Sequence, residues 1–367
     1  MRVLLLSASS LFSTAALTSP ALAQQTSAPD GSWTADHITV TAKRESYSAP
    51  TTSSATRTDT PLIQVPQSVQ VLTSTLLKEQ DRHTLGEALV NVSGVVPTRS
   101  DEILFIPPIV RGFPAEVYLD GLPIFAGNQQ AYDPNGLVGI ERIDVLKGPS
   151  ATLYGGGLGT PLGGVINIES ERPNDTAASG YVALRAGSYS TWNPYADINI
   201  PLAKGVSARI AGEYQSNDSW IDKVKVRRWS IQPSLLFQID PDTDLLLQGQ
   251  FNRRNSVEYS GLPADAALAG TIARDAFPGS TDGQPRTRIN SNMGTATLRH
   301  AFSDRVKLTV TGRYYENDTA VLHVGMHYRT IGTTQCQAFS TTRQQREKPG
   351  EVQRFLRDKV LQALKFF

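Results

Sequence analysis

"ERIDVLKGPSATLYGGGLGTPLGGVINIESERP", residues 141–173, joins two strand-like runs through a dense set of glycines. Seven glycines fall within residues 148–164, six of them between 155 and 164. Before them, Ile140, Ile143, Val145 and Leu146 supply the apolar content of one strand. After them, "GVINIES" reads as another. Glycine costs conformational entropy, but it accepts positive φ and lets backbone approach backbone. The stretch therefore reads as two strands joined by tight turns, by unusually close packing, or by both. A phosphate-binding loop is excluded on pattern, because neither G-x-G-x-x-G nor G-x-x-x-x-G-K-[ST] occurs there.

The chain around it has 367 residues and a formal net charge of +1. A nearly neutral chain argues against a nucleic-acid partner. The single cysteine, Cys336, excludes an internal disulfide and any multi-cysteine metal site. Residues 1–23 read as a signal peptide: Arg2, a short apolar run, then the small-x-small site Ala21–Leu22–Ala23. The apolar run is shorter than the ~20 residues of a membrane span, and no other segment reaches that length. Export is expected, and any later membrane insertion has to use strands.

Residues 24–60 are rich in Ser, Thr, Ala and Pro and read as a flexible tail. Within it "HITVTA" (His37, Ile38, Thr39, Val40, Thr41, Ala42) is a β-prone island. It is either suited to strand addition on a partner's sheet edge or a chance Val/Thr cluster. Residues 61–173 read as a continuous α+β unit, expected to fold by itself. "QSVQVLT" alternates as a strand, and "TSTLLKEQ" and "TLGEALVNV" carry helical spacing. "AEVYLDGLPI" is a strand followed by the two-residue hairpin turn Asp120–Gly121.

Past residue 180 the period becomes two. Apolar residues such as Val182, Leu184, Ile198, Ile200 and Ile210 occupy one face, and Arg185, Asp197, Arg209, Glu213, Arg299, Lys307 and Arg313 the other. About eight such segments run to residue 330, the last two at 306–316 and 322–328. A soluble antiparallel sheet shares this pattern. Export, strands of about 10 residues, and alternating short and long connections favour a transmembrane β-barrel with a wet, charged lumen.

In order, "VPQSVQVLT", "TLGEALVNVSGVV", "IVRGF", "VYLDGLP" and "ERIDVLKGPSATLYGGG…GGVINIESERP" resemble the plug domain of TonB-dependent outer-membrane receptors, most nearly the siderophore-receptor branch. "HITVTA" resembles the TonB box. The resemblance covers roughly residues 36–330. It implies a plug inside a barrel of about 22 strands, a ferric siderophore as cargo with no tightly bound cofactor, outer-membrane lipid around it, and TonB as the partner that supplies energy. It implies no enzyme. Cobalamin and haem receptors share the plug, so the ligand class stays open, as does a non-transporting binding module.

The resemblance also nominates residues. Arg111 of "RGF" is the leading ligand contact, since a guanidinium suits the oxygens of a ferric chelate. An equal alternative is a structural arginine paired with a barrel carboxylate. Phe125, Gln129, Gln130 and Tyr132 are candidates for a second apex. Glu141, Arg142 and Lys147 are candidates for a lock between plug and barrel. His323 and His327 are too far apart along a strand, at roughly 13 Å, to share a metal, and no catalytic signature is present.

Beyond residue 330 the pattern departs from the family. Residues 331–367 lose the alternation, and Val352, Phe355, Leu356, Val360, Leu361 and Leu364 carry helical spacing. Eight strands are too few to enclose a plug. The expectation is therefore a truncated or frameshifted receptor unable to transport as it stands.

Overall fold

The computed structural model describes residues 47–97, 108–124, 136–148, 154, 162–257, 259, 261–262, 264–277, 287–303, 306–329 and 335–346, with the backbone alone from 317 onward. The signal peptide, His37–Ala42, the glycines between 155 and 159, Phe125, Gln129, Gln130, Tyr132 and the helical spacing at 352–364 lie outside them.

Ile143, Val145 and Leu146 are wholly buried at the centre of a five-stranded mixed sheet. Its strands are β1 (Ser68–Thr73), β2 (Glu116–Leu119), β3 (Leu122–Pro123), β4 (Ile140–Lys147) and β5 (Gly164–Ser170), in the order β1-β4-β5-β2-β3. The two runs flanking the glycine stretch pair with each other, Val165 opposite Leu146 and Ile168 opposite Ile143. β5 also pairs in parallel with β2. Gly163 and Gly164 are needed at the turn into β5. A Cβ on Gly164 would collide with the Leu146 carbonyl, and one on Gly163 with the carbonyls of Phe113 and Pro114.

Two short helices cover the sheet. α1 (Ser74–Glu79) starts where the Thr73 hydroxyl accepts from the Leu76 amide. α2 (Leu85–Leu89) starts with a reciprocal capping box between Thr84 and Glu87. Their apolar stripes, Leu77, Leu85, Ala88 and Leu89, complete the core. Asp120 and Gly121 have φ of 48° and 75°, as a type I′ hairpin turn requires.

The second unit is one antiparallel sheet with nearest-neighbour order. Its strands are β6 (Ser179–Gly187), β7 (Thr191–Ala203), β8 (Val206–Asp218), β9 (Lys225–Asp240), β10 (Thr243–Ser256), β11 (Thr287–Ala301), β12 (Lys307–Arg329) and β13 (Gln335–Arg346). A short helix, α3 (Ala264–Leu268), lies in the connection from β10 to β11. Among the described residues the sheet is open, with β6 and β13 as its edges. Its outer face exposes Val182, Leu184, Ile200, Leu235, Phe251 and Val310. Its inner face carries Asp197, Glu213, Arg228, Gln250 and Ser291, which are buried. Of the charges expected to line a wet lumen, Asp197 and Glu213 are buried, Arg185, Arg209 and Arg313 are half-buried, and Arg299 and Lys307 are exposed.

Two boundaries differ from those read in the sequence. The segments 306–316 and 322–328 are one strand, β12, and the eighth strand is β13, past residue 330. "Asn317–Asp318–Thr319" resembles a polar break, but Asn317 pairs with Ser291 and Asp318 with Asn290, so the ladder continues. The flexible tail also ends earlier than residue 60. Thr51–Thr52 pairs with Thr60–Pro61, and Thr52 and Ser54 are buried. A Ser/Thr-rich stretch looks solvated by composition, but here its hydroxyls bond to buried carboxylates.

Candidate functional site

The first unit, the plug by resemblance, meets the wall along one band of inner-face residues. Arg313 on β12 donates through Nη2 to the Leu119 carbonyl at 2.9 Å and through Nη1 to the Leu122 carbonyl at 3.3 Å. Its Nε is held by Thr295 Oγ1 at 2.9 Å. The guanidinium fork thus grips both sides of the Asp120–Gly121 turn. Asp120 accepts from the Ser170 amide and hydroxyl, and from Gln248 of β10 at 3.4 Å. Met293 of β11 enters the plug's apolar core, with Tyr315 of β12 packed against it.

A second contact surrounds His83. Its Nε2 lies 2.7 Å from Asp81, whose other oxygen takes Arg185 of β6 at 2.8 Å. Its Nδ1 lies 4.0 Å from Glu213 of β8, and its ring meets Tyr195 of β7 edge-on at 5.0 Å. Gly136 and Gly139 bring the backbone here onto β8. At Gly139, with φ of 74°, an added Cβ would stand 2.5 Å from that of Ala211, and at Gly136 it would run into the Glu213 carboxylate. Between α1 and this wall lies a cavity of about 210 Å³ whose lining includes Lys78, Asp81, His83, Tyr181 and Tyr195.

Where the chain passes from plug to wall, Glu171 pairs with Arg209 at 2.7 Å and Arg172 with Asp244 at 3.6 Å. Arg209 also forms a bidentate pair with Asp197, both distances 2.7 Å.

The nominated lock residues have their recorded partners inside the plug. Arg142 pairs with Glu169 at 2.6 Å and Asp144 at 3.5 Å. Lys147 donates to Ser93 and Gln70. Glu141 is exposed. The Arg142 cluster is closed by the N-terminal segment. The Thr52 hydroxyl donates to Asp144 at 2.6 Å, Ser54 to Glu169 at 3.1 Å, and Tyr154 to the Ser54 carbonyl at 2.7 Å. Arg57 stacks over Tyr154 and reaches the Gly121 carbonyl.

Burial opposes the charge on Arg142, but Glu169 and Asp144 outweigh it and hold its pKa above the usual value. Burial raises the pKa of Glu169, and Arg142 offsets only part of that. The two directions are compatible, because one guanidinium is shared by two carboxylates. Burial also pushes the Tyr154 phenol up to about 12.

Arg111 and Gly112, with φ of 50° and 87°, form the tip of a hairpin between Ile109–Val110 and Phe113–Pro114. Arg111 is exposed and its Nη1 reaches the Lys147 carbonyl at 3.4 Å. Burial and the Arg111 charge lower the pKa of Lys147. Lys147 pairs with Gly164, at the end of β5 opposite Ser170 and the Arg172–Asp244 exit. Arg111 therefore stands at the far end of the plug sheet from the chain's entry into the wall.

Thr52, Ser54, His83, Gly136, Gly139 and Gln248 were not foreseen as contacts. Arg313 was legible only as one charge among many on a polar face. Paired glycines just before the "ERID" strand were the one local signal of close approach.

Residues 61–160 match the family model TonB-dependent Receptor Plug Domain. The chain is 34% identical over 271 residues to a ferrioxamine receptor of Yersinia enterocolitica, covering 67% of this chain and 36% of that protein. It is 31% identical over 309 residues to a metal-pseudopaline receptor of Pseudomonas aeruginosa, covering 81% and 42%. The chain thus spans about two fifths of the length of these curated relatives. Among solved structures, P. aeruginosa FpvA bound to heterologous pyoverdines superposes with a TM-score of 0.71 at 21% identity, over 80% of this chain and 40% of that one. The ferric-catecholate import receptor Fiu of E. coli, in its open form, gives 0.66 at 20% identity, over 78% and 45%. At that identity these two show the shared fold.

Proposed function

We propose a function from one premise: the chain belongs to the TonB-dependent receptors. It serves as an outer-membrane receptor that takes a ferric siderophore from outside and imports it with energy delivered by TonB. The observation that carries this reading is the seat of the plug. Its Asp120–Gly121 turn is gripped by Arg313 and Gln248 on the inner face of a sheet whose outer face is exposed and apolar. An exposed apolar face on an antiparallel sheet suits lipid, and a polar face suits an aqueous interior. The relatives named as ferrioxamine and metal-pseudopaline receptors support a metal chelate as cargo.

The position of Arg111 supports its role in this reading, and the other roles are carried by the resemblance. The connections 204–205, 241–242 and 302–306 lie at one end of the wall, and 219–224 and 257–286 at the other. Short turns face the periplasm and longer loops the exterior in such barrels. Arg111 stands toward the long-loop end and is the first contact for the chelate, with Phe125, Gln129, Gln130 and Tyr132 as a second group. His37–Ala42 pairs with TonB by strand addition. Glu141, Arg142 and Lys147 hold the plug strand that must yield during passage.

The test is accumulation of radiolabelled ferric chelates by iron-starved cells that depend on a receptor carrying these residues within a closed barrel. Energy-dependent uptake is expected, reduced by Arg111→Ala. Crosslinking of the tail to TonB should disappear in Val40→Pro, because proline removes a ladder donor. Uptake of no chelate, or unchanged crosslinking, overturns the respective part.

A further inference from the structure

On β9, β10 and β11 exposed side chains of the outer face alternate with buried ones of the inner face. Near the long-loop end, the exposed set includes Arg227, Arg253 and Arg288. The register draws these three together around one amide. Asn255 stands between Arg227 and Arg288, directly opposite each, and Arg253 is two residues from Asn255 on the same face. Diagonal neighbours on one face lie about 7–8 Å apart, and Arg227 and Arg288, two strands apart, are about 10 Å from each other. Like charges so placed repel. Asp218 on β8 is held by Lys225 at 3.2 Å, and Asp318 on β12 is diagonal to Arg288. Arg227 and Arg253 have no ion-pair partner among the described residues.

Toward the short-turn end, the outer face changes character in two steps. The first is an aromatic row: Trp229, whose ring lies under the Arg253 guanidinium at 5.4 Å, with Tyr214 opposite it on β8. The second is an exposed apolar stretch, with Ile231, Leu235 and Ile239 on β9 and Leu247 and Phe251 on β10. From Ile231 to Ile239 is about 26 Å along the strand, on the scale of the ~25 Å apolar band of a membrane wall. Cation, aromatic ring and apolar side chain thus follow one another along β9. Headgroup, interface and hydrocarbon follow one another in that order across half a bilayer.

We infer that this patch binds the phosphorylated headgroup of a lipid in the surrounding leaflet, with Arg227 and Arg253 as its contacts. The inference rests on the receptor reading above for the wall's place in a membrane, and it adds the class of lipid at the wall's outer rim. Guanidinium forks take paired phosphate oxygens. Continuity with the exposed apolar face selects a lipid over a soluble anion, because a soluble anion gains nothing from the surface beneath the arginines.

The experiment measures binding of the full chain, in uncharged detergent micelles, to three probes: lipid A carrying its two phosphates, lipid A stripped of them, and inorganic phosphate. The wild type should bind the phosphorylated lipid at least about tenfold more tightly than the stripped one, and the difference should shrink as salt rises. Replacing both contacts, Arg227→Gln with Arg253→Gln, should abolish the preference, and Arg227→Lys with Arg253→Lys should retain part of it. Arg299→Gln with Lys307→Gln, which removes exposed charges of the inner face at the short-turn end, should change nothing. The comparison of the two lipids on the wild type needs no variant, so misfolding of a variant leaves the test intact. Equal binding of the two lipids overturns the inference and leaves the receptor reading standing, as does a preference that survives in the double glutamine variant. Inorganic phosphate that displaces the phosphorylated lipid at equal concentration reveals a soluble-anion site and overturns it too. A chain that binds neither lipid counts against the receptor reading itself, because its outer face then does not suit a bilayer.

Discussion

Arg313 and Leu119 are 194 positions apart in the chain, yet the guanidinium of one donates to the carbonyl of the other at 2.9 Å. With Leu122 as its second acceptor, Arg313 satisfies the two carbonyls that flank the Asp120–Gly121 turn. A tight turn exposes such carbonyls, and wall and plug meet where they need a donor.

Removing that donor should loosen the turn before anything else. Arg313→Ala removes the wall's donor from two carbonyls that stay paired only across the hairpin, at a cost of about 1–3 kcal/mol. Hydrogen exchange at the Gly121 and Ile124 amides should accelerate, while the β4 amides stay protected. Unchanged exchange at both positions would show that the contact holds nothing in place.

The N-terminal segment should stabilise the plug. A fragment of residues 47–173 should resist urea better than one of 61–173, by at least about 2 kcal/mol, because the shorter one leaves Asp144 and Glu169 without their hydroxyl donors. Thr52→Val in the longer fragment should reproduce part of that loss. Coincident unfolding midpoints for the two fragments refute it.

Close approach and backbone strain should separate at two glycines. Gly112 has positive φ but open space for a Cβ, whereas Gly139 has positive φ and faces Ala211. Each alanine substitution pays the left-handed cost of about 1–2 kcal/mol. In the full chain Gly139→Ala should cost more than Gly112→Ala, and in the 47–173 fragment, which lacks the wall, the two should converge. A difference of equal size in both settings argues against wall packing as its cause.

Acidity should strengthen the plug through Glu169. Its raised pKa means that the folded state holds this proton more tightly than the unfolded chain. That stability is complete below the unfolded value and is lost as pH rises through the folded one. Urea midpoints of the 47–173 fragment between about pH 4 and about pH 7 should therefore carry a falling component that Glu169→Gln removes. A pH profile identical in wild type and variant disproves the role of Glu169.

Much of the architecture was legible locally. Alternation in "ERIDVLK" and "GVINIES" specified two strands, Thr84 with Glu87 specified a helix start, and Asp120–Gly121 specified a hairpin turn. Each of these rests on neighbours a few residues away. The two faces of β6–β12 were equally readable, since period two assigns every side chain to one side or the other. Contacts between distant segments were not readable. Thr52 finds Asp144 92 positions away, and composition alone describes that hydroxyl as solvated. Arg142 and Lys147 read in the sequence as a lock toward the barrel, and the partners that folding gives them lie within the plug. Arg228 and Arg254 become opposed only through the register of β9 on β10, which follows from the short turn at Pro241–Asp242. Local sequence determined which residues turn, cap and alternate. Only the seating of one unit on the other decided which charges are paired and which glycines are irreplaceable, because burial and charge pairing depend on what the far chain brings within a few ångströms.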